Sequence, residues 1–221
     1  MQKSDGNHLS KYGSVLMKLV LYGAAKRMMD ILGSLVALII FAPISLAIIA
    51  AIKFEDGGPT FYSQERIGYK GRPFVMWKFR SMVVGAHSMK SELEDLNETE
   101  GPIFKVKNDP RVTKVGVFIR KHSLDEIPQF VNVLKGDMSL VGPRPALPEE
   151  VLAYGDSEKE RLKAWPGLTG LWQVSGRSNL NYDQMIALDL KYVENKSLIM
   201  DIKILFATVI QMFLADDSGA Y

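Results

Sequence analysis

The residues best suited to chemistry in this sequence are two adjacent carboxylates, Asp125 and Glu126. They follow Arg120 and Lys121 and precede Pro128. Ser123-Leu124-Asp125-Glu126 fits a capping box, in which Ser123 would start a helix near Ser123 to Leu134 and Glu126 would close it. Pro128 lies too deep in such a first turn, where it would disturb the hydrogen bonds that the box initiates. If the helix begins later, both carboxylates stand at its mouth beside free backbone N–H groups and two cations. Paired acids in that setting suit phosphoryl chemistry. One can attack phosphorus, and the other can hold Mg2+, which prefers oxygen ligands and shares them with substrate phosphates.

A third acid, Asp189, has Met185, Ile186, Tyr192 and Val193 at helical spacing, so it projects from a largely apolar face and needs a partner. A structural ion pair with Arg177 and a direct role in chemistry both account for it. The cations that could serve a phosphorylated ligand are grouped. Arg66 to Arg80 holds five basic residues and no acid, and Lys105 to Lys121 holds six with Asp109 alone against them. In a chain whose net charge is only +2, such grouping predicts a local basic surface facing lipid headgroups or a phosphorylated substrate. It also argues against a surface built for nucleic acid. Arg80, Arg120, Arg144 and Arg177 lie in or beside turn-rich stretches, where a guanidinium can bind phosphate oxygens with both of its arms.

The elements that must position these groups follow from pattern. Thr60 to Arg66 and Phe74 to Arg80 flank GYKGRP and read as a β-hairpin. In the second run Val75, Trp77 and Phe79 alternate with Met76, Lys78 and Arg80, so Lys78 and Arg80 are expected opposite the apolar face. Ser81 to Asn97 reads as an exposed helix with a solvated acidic face, and GPIFKVKNDPRVTKVG as a loop. Helices are expected from about Pro148 to Lys163, Tyr182 to Glu194 and Ser197 to Leu214. The last carries Asp201, Thr208 and Gln211 as a narrow polar stripe on an apolar body, which suits a helix lying on a membrane as well as one buried in a core.

From Ile31 to Ile52 there are 22 consecutive uncharged residues, 18 of them apolar. As a straight helix they would reach about 33 Å, enough to cross a bilayer. Pro43 near the middle favours a bend, and basic residues on both flanks favour placing both ends on one side. A re-entrant hairpin fits both features, while a plain spanning anchor with a tolerated proline remains the competing arrangement.

The expected fold class is α+β and mostly helical. It consists of a re-entrant membrane helix hairpin and a small cytosolic domain with a short antiparallel β-hairpin and surface amphipathic helices. The divisions are 1–25 as an amphipathic or flexible segment, 26–53 as the membrane helix, and 54–221 as the catalytic domain. The absence of cysteine excludes disulfide scaffolds, thiolate zinc sites and cysteine nucleophiles. There is no P-loop, G-x-G-x-x-G, H-E-x-x-H, G-x-S-x-G or D-x-D motif, and His8, His87 and His122 lack metal-ligand spacing.

Four blocks in order, KFRSM (Lys78 to Met82), RKHSLDEIPQFVNVLKGDMSLVGPRP (Arg120 to Pro145), PGLTGLWQVSGR (Pro166 to Arg177) and Asp189 before a terminal apolar helix, closely resemble the bacterial sugar transferases. These are monotopic polyprenol-phosphate phosphoglycosyl transferases, which prime capsule, exopolysaccharide and glycoconjugate synthesis. The resemblance runs from about Lys26 to Leu214.

It implies that Asp125 attacks the β-phosphate of a UDP-sugar and releases UMP, leaving a sugar-phosphate on the carboxylate for undecaprenyl phosphate to accept. Glu126 matches the Mg2+ ligand. Lys78, Arg80, Arg120, Arg144, Arg177 and Asp189 fall on further polar positions, implying substrate contact or support of the site. Ala42-Pro43 stands where the family's re-entrant helix breaks at a Ser-Pro pair. The resemblance further implies the cytoplasmic face of a bacterial inner membrane, with membrane lipid around the chain, a glucose or galactose donor, and room for homo-oligomers. Larger relatives carry additional N-terminal membrane helices, so the chain is expected to be the compact form or the catalytic portion of a larger protein. A non-catalytic membrane-surface or assembly protein, whose acid pair only caps a helix, is the alternative.

Overall fold

In the computed structural model, which describes residues 4–89, 91–96, 106 and 108–214, the apolar stretch belongs to a far longer helix, α1 (Ser4–Asp56). This helix runs without interruption through Ala42 and Pro43 and across both expected boundaries near 25 and 53. It is long and apolar enough to cross a membrane by length and composition. No helix–break–helix element is present at Ala42-Pro43. The residues of α1 that meet the rest of the chain recur at heptad-like spacing, Asp30, Ser34, Phe41, Ile48 and Ile52, so one stripe of α1 faces the domain.

Both ends of the apolar stretch are bonded to that domain. At the N-terminal end Lys26 Nζ donates to Asp201, to the Val141 carbonyl and to Tyr192, and Tyr22 donates to Asp201. Arg27 donates to the carbonyls of Val133 and Leu134, and Asp30 accepts from Ser139 Oγ and Leu140 N. Lys26 and Arg27, expected as flanking positive charge, are thus latches. At the C-terminal end Glu55 accepts from the first N–H groups of α2 (Lys114–Lys121), and Asp56 pairs with Arg80.

The hairpin forms as expected, with β1 (Phe61–Ile67) antiparallel to β2 (Pro73–Phe79) and Tyr62 opposite Lys78. Its orientation differs from expectation. Met76 enters the core while Val75 and Trp77 are exposed, so Lys78 shares the inward face with Phe74 and Met76. Strand alternation fixes which residues share a face, but a strand apolar on both faces leaves the choice of the buried one to its covering elements. Arg80 lies past the strand end and is turned toward Asp56.

The described residues of 81–96 do not form the exposed helix expected over Ser81 to Asn97. Turns occupy 84–89 around Gly85, whose φ of +81° leaves the helical region, followed by a short 3-10 segment at Ser91–Leu96; Asn97 lies outside the described residues. The expected loop to Gly116 ends early, because Thr113 accepts from Gly116 N and caps α2. After α3 (Gln129–Lys135) comes β3 (Ser139–Val141), which pairs in parallel with β4 (Gly167–Thr169). The two turn-rich blocks therefore meet as strands, with Gly142 and Gly167 approaching so closely that a Cβ on either would run into the other's backbone. The expected helix 148–163 is divided into α4 (Pro148–Leu152), α5 (Asp156–Lys159) and a 3-10 turn at Glu160–Lys163.

The chain closes with α6 (Leu171–Ser175), α7 (Tyr182–Asn195) and α8 (Leu198–Leu214). On α8 the polar stripe faces inward: Asp201 is fully buried, Thr208 meets Thr169, and Gln211 donates to the Val174 carbonyl. Ile199, Ile202, Phe206 and Val209 face outward.

Candidate active site

The site is set by a corner between α2 and α3. Ser123 adopts a left-handed backbone, φ 54°, and makes no capping bond through its side chain. For a residue other than glycine that conformation costs roughly 1 kcal/mol, and it breaks the chain out of α2 into a 3-10 turn, Leu124–Glu126. Pro128 then starts α3, so the capping-box start at Ser123 does not form and the two carboxylates stand before the helix. Ile127 and, more partially, Leu124 pack into a cluster containing Ile48, Ile52, Phe79 and Ile119. The residues on either side of the acid pair are thereby pressed against the apolar helix.

Lys78 reaches the pair from β2. Its Nζ lies 2.7 Å from Glu126 Oε1 and 3.6 Å from Asp125 Oδ2. Burial works to lower the lysine's pKa, and the charges of Glu126 and Asp125 overcome it, holding Lys78 above its ordinary value. Asp125 is 8% exposed. Burial raises its pKa and Glu126 adds to the rise, against the lowering fields of Lys78 and Arg120. A carboxylate that has lost hydration beside a cation is more reactive than one in water, because less solvent has to be stripped from it before it attacks.

Asn132, fully buried on α3, locks this geometry. Its Oδ1 accepts from Trp77 N at 3.1 Å and its Nδ2 donates to the Val75 carbonyl at 2.7 Å. It replaces a missing strand neighbour for β2. Sequence pattern missed it; an amide in an otherwise apolar helical stretch was the available signal.

A second cluster lies beyond. Arg144 donates to both oxygens of buried Glu150, at 3.1 and 2.9 Å, and its carbonyl accepts from Arg161. Asp189, 1% exposed, pairs with Arg161 at 2.5 Å. The expected partner Arg177 is not used; it sits in a left-handed turn after α6, and Arg161, 28 residues before Asp189, takes the role. Burial pushes Asp189 up to about 6 against the opposing charge of Arg161.

The predicted site residues thus fall into separate places. Asp125, Glu126 and Lys78 come together, with Arg120 acting on Asp125 through its charge. Arg144 and Asp189 share the second cluster. Arg80 is committed elsewhere, donating to Asp56 and to the carbonyls of Pro59 and Met82. Arg111 is buried and paired with Asp109, so the two basic windows do not form one free surface; Lys105 and Lys107 lie outside the described residues.

Among the described residues no cluster of three or more His, Cys, Asp or Glu could hold a metal. The donor set of Asp125 and Glu126 nonetheless fits Mg2+, which commonly takes one or two carboxylates and completes its shell with water and substrate phosphate. Glu126 suits this best, being 37% exposed in its side chain with only Oε1 engaged.

A model of the family described as bacterial sugar transferase matches residues 21–215, which include every element from the second half of α1 to α8. The chain belongs to the bacterial sugar transferase family. Among relatives of this chain are the galactosyl transferase CpsE of Streptococcus agalactiae serotype III, 47% identical over 84% of this chain, and the exopolysaccharide production protein ExoY of Rhizobium meliloti, 44% identical over 85%. Another is the undecaprenyl-phosphate galactose phosphotransferase of Salmonella typhimurium, 47% identical over 89%. The chain spans 41% of the length of CpsE and of the Salmonella protein, and 84% of ExoY.

Proposed function

We propose that this sugar transferase moves a hexose-1-phosphate from a UDP-sugar to undecaprenyl phosphate, releasing UMP, as the first step of building an exopolysaccharide, capsule or glycoconjugate. The observation that carries the proposal is the buried carboxylate Asp125 beside Lys78 and Glu126, packed against an apolar helix. In the first step an Asp125 oxygen bonds to the β-phosphorus and the bond from that phosphorus to the bridging oxygen breaks, so UMP leaves with the electron pair. In the second an oxygen of undecaprenyl phosphate attacks the same phosphorus, and the Asp125 carboxylate is expelled intact.

Partial desolvation strengthens Asp125 as a nucleophile, and Lys78 offsets the negative charge that gathers when two phosphorylated substrates approach a carboxylate. Glu126, with Asp125 beside it, would hold Mg2+, which supplies further neutralisation of the diphosphate. Arg120 adds to the field at Asp125. Galactose is the favoured sugar, since two of the three relatives carry galactose in their names, with glucose the other candidate.

Membrane placement at the cytoplasmic face, with both ends of the apolar stretch on one side, is part of the same proposal. Its support is the double attachment of α1: a full crossing would separate Lys26 from Lys53 by a bilayer, yet Lys26 and the nearby Glu55 and Asp56 bond to one domain. The outward apolar face of α8, with its polar groups turned inward, suits a helix lying on lipid.

Incubating the detergent-solubilised protein with Mg2+, undecaprenyl phosphate and a panel of UDP-sugars tests this. UMP release with a lipid-linked diphosphosugar is expected. UDP as product would indicate ordinary glycosyl transfer, and no nucleotide product with any sugar would favour a binding or assembly role.

A further inference from the structure

Arg66 has an unusual environment for a largely buried cation. Its Nη2 donates to Gln64 Oε1 at 2.7 Å, its Nη1 to the Pro145 carbonyl at 3.1 Å, and its buried Nε has no hydrogen-bond partner among the described residues. None of these partners bears a charge. Burial, and then the field of the neighbouring guanidinium of Arg144, hold Arg66 down to about 10. Glu150, the acid nearest in effect, is already occupied by Arg144 and by Leu147 N.

Of the two acids whose charge acts on Arg66, Glu150 is engaged by Arg144, and the exposed Glu149 makes no ion pair with either arginine among the described residues, so the Arg66 guanidinium touches no carboxylate. Proteins tolerate this where an anion arrives to complete the site. Arg144 keeps Nε and Nη2 uncommitted among the described residues, and a quarter of its side chain is exposed, so the place can be reached. A β-bridge from Ile67 to Ala146 fixes the Arg144 loop beside the hairpin.

The hairpin register connects this pair to the acid pair. Arg66 stands opposite Phe74, Gln64 opposite Met76 and Tyr62 opposite Lys78, so Arg66 and Lys78 project from the same face of the ladder. The face therefore carries two cations, Lys78 beside Asp125 and Arg66 farther along, and the Arg144 loop lies next to Arg66.

We propose that Arg66, together with Arg144, is a phosphate-binding site one step along from the attacked phosphorus, with the Arg66 Nε–H as its unfilled donor. The inference rests on the transferase reading for its biological ligand, a phosphate borne either by the departing nucleotide or by the polyprenol acceptor. Its geometry is independent of that reading.

Inorganic pyrophosphate, with EDTA present to remove metal, is the first probe. It is expected to raise the melting temperature of the wild type and not that of Arg66→Gln. UDP and uridine binding then separate the sources. A loss of at least tenfold in UDP affinity with unchanged uridine affinity assigns the nucleotide phosphate. Unchanged UDP affinity with at least a tenfold rise in KM for undecaprenyl phosphate assigns the lipid phosphate. A folded Arg66→Gln with pyrophosphate stabilisation, UDP affinity and polyprenol KM all within twofold of wild type overturns the site. Should that variant not fold, Arg66→Lys keeps the charge without the fork, and is expected to bind pyrophosphate and UDP at least threefold more weakly; wild-type binding overturns the proposal equally. If the wild type releases no UMP yet pyrophosphate stabilises it through Arg66, the phosphate site stands and the transferase reading falls.

Discussion

Lys78 Nζ donates to Glu126 Oε1 at 2.7 Å, and this bond also brings the ammonium to 3.6 Å from Asp125. A strand residue thereby favours the ionised form of a carboxylate it does not directly hydrogen-bond, against the larger effect of burial. The Asp125 pKa is raised by burial and lowered by Lys78. Attack requires the ionised form, so activity is expected to rise with pH through a pKa above the usual carboxylate range. Lys78→Met removes the lowering charge, so the acid limb of kcat/KM should move to higher pH. With the loss of charge stabilisation, activity near neutrality should fall about 100-fold. Lys78→Arg should hold the limb near its original position. A pH profile of UMP release decides this, and an unmoved limb in Lys78→Met would separate Lys78 from the ionisation of Asp125.

The two acids are predicted to fail differently. Asp125→Asn should lower turnover by roughly 10⁴-fold or more and remove any covalent sugar-phosphate adduct detectable by mass spectrometry. Persistence of the adduct would place the nucleophile elsewhere. Glu126→Gln should reduce activity while raising the Mg2+ concentration needed for half-maximal rate. A metal response like that of the wild type would leave Glu126 with no part in holding the ion.

The latch between α1 and α8 is a buried ion pair, Lys26–Asp201 at 3.1 Å, with the carboxylate wholly enclosed. Removing one partner strands the other, so Lys26→Met should destabilise the fold by about 3–5 kcal/mol. The double variant Lys26→Met/Asp201→Leu should recover a large part of that loss. Thermal melts in detergent give both values, and equal melting temperatures for wild type and Lys26→Met would show the latch to be dispensable.

The attachment of both ends of the apolar stretch predicts one-sided labelling. The chain has no cysteine, so single cysteines placed at the exposed positions Lys18 and Lys53 report without background. Both should react with a membrane-impermeant maleimide only after cytoplasmic access is opened. Labelling of Lys18→Cys from outside intact cells, with Lys53→Cys protected, would instead mean a full crossing.

Local pattern made the hairpin, the two C-terminal helices and the displaced start of α3 legible, since alternation, helical period and Pro128 act over a few residues. The helix α2 escaped because Gly116 and the cations around it mask a short amphipathic turn that Thr113 and Glu55 complete from outside. Strands β3 and β4 escaped because three-residue strands bounded by glycine and proline read as turns until they find each other.

By itself the sequence determined which residue types were available: an adjacent acid pair, grouped cations, a long apolar run and a narrow polar stripe on the last helix. These are properties of composition and spacing, carried by bonds along the chain. Tertiary structure alone decided the pairings, because they join residues too far apart for any local pattern to couple. Asp189 takes Arg161 and leaves Arg177, Asp201 reaches back to Lys26, and Arg80 turns away from the acid pair to Asp56. Which face of β2 meets the interior, and hence that Lys78 points at Asp125, was settled by α3 and the core around Val133 closing over the Met76 side of a strand apolar on both.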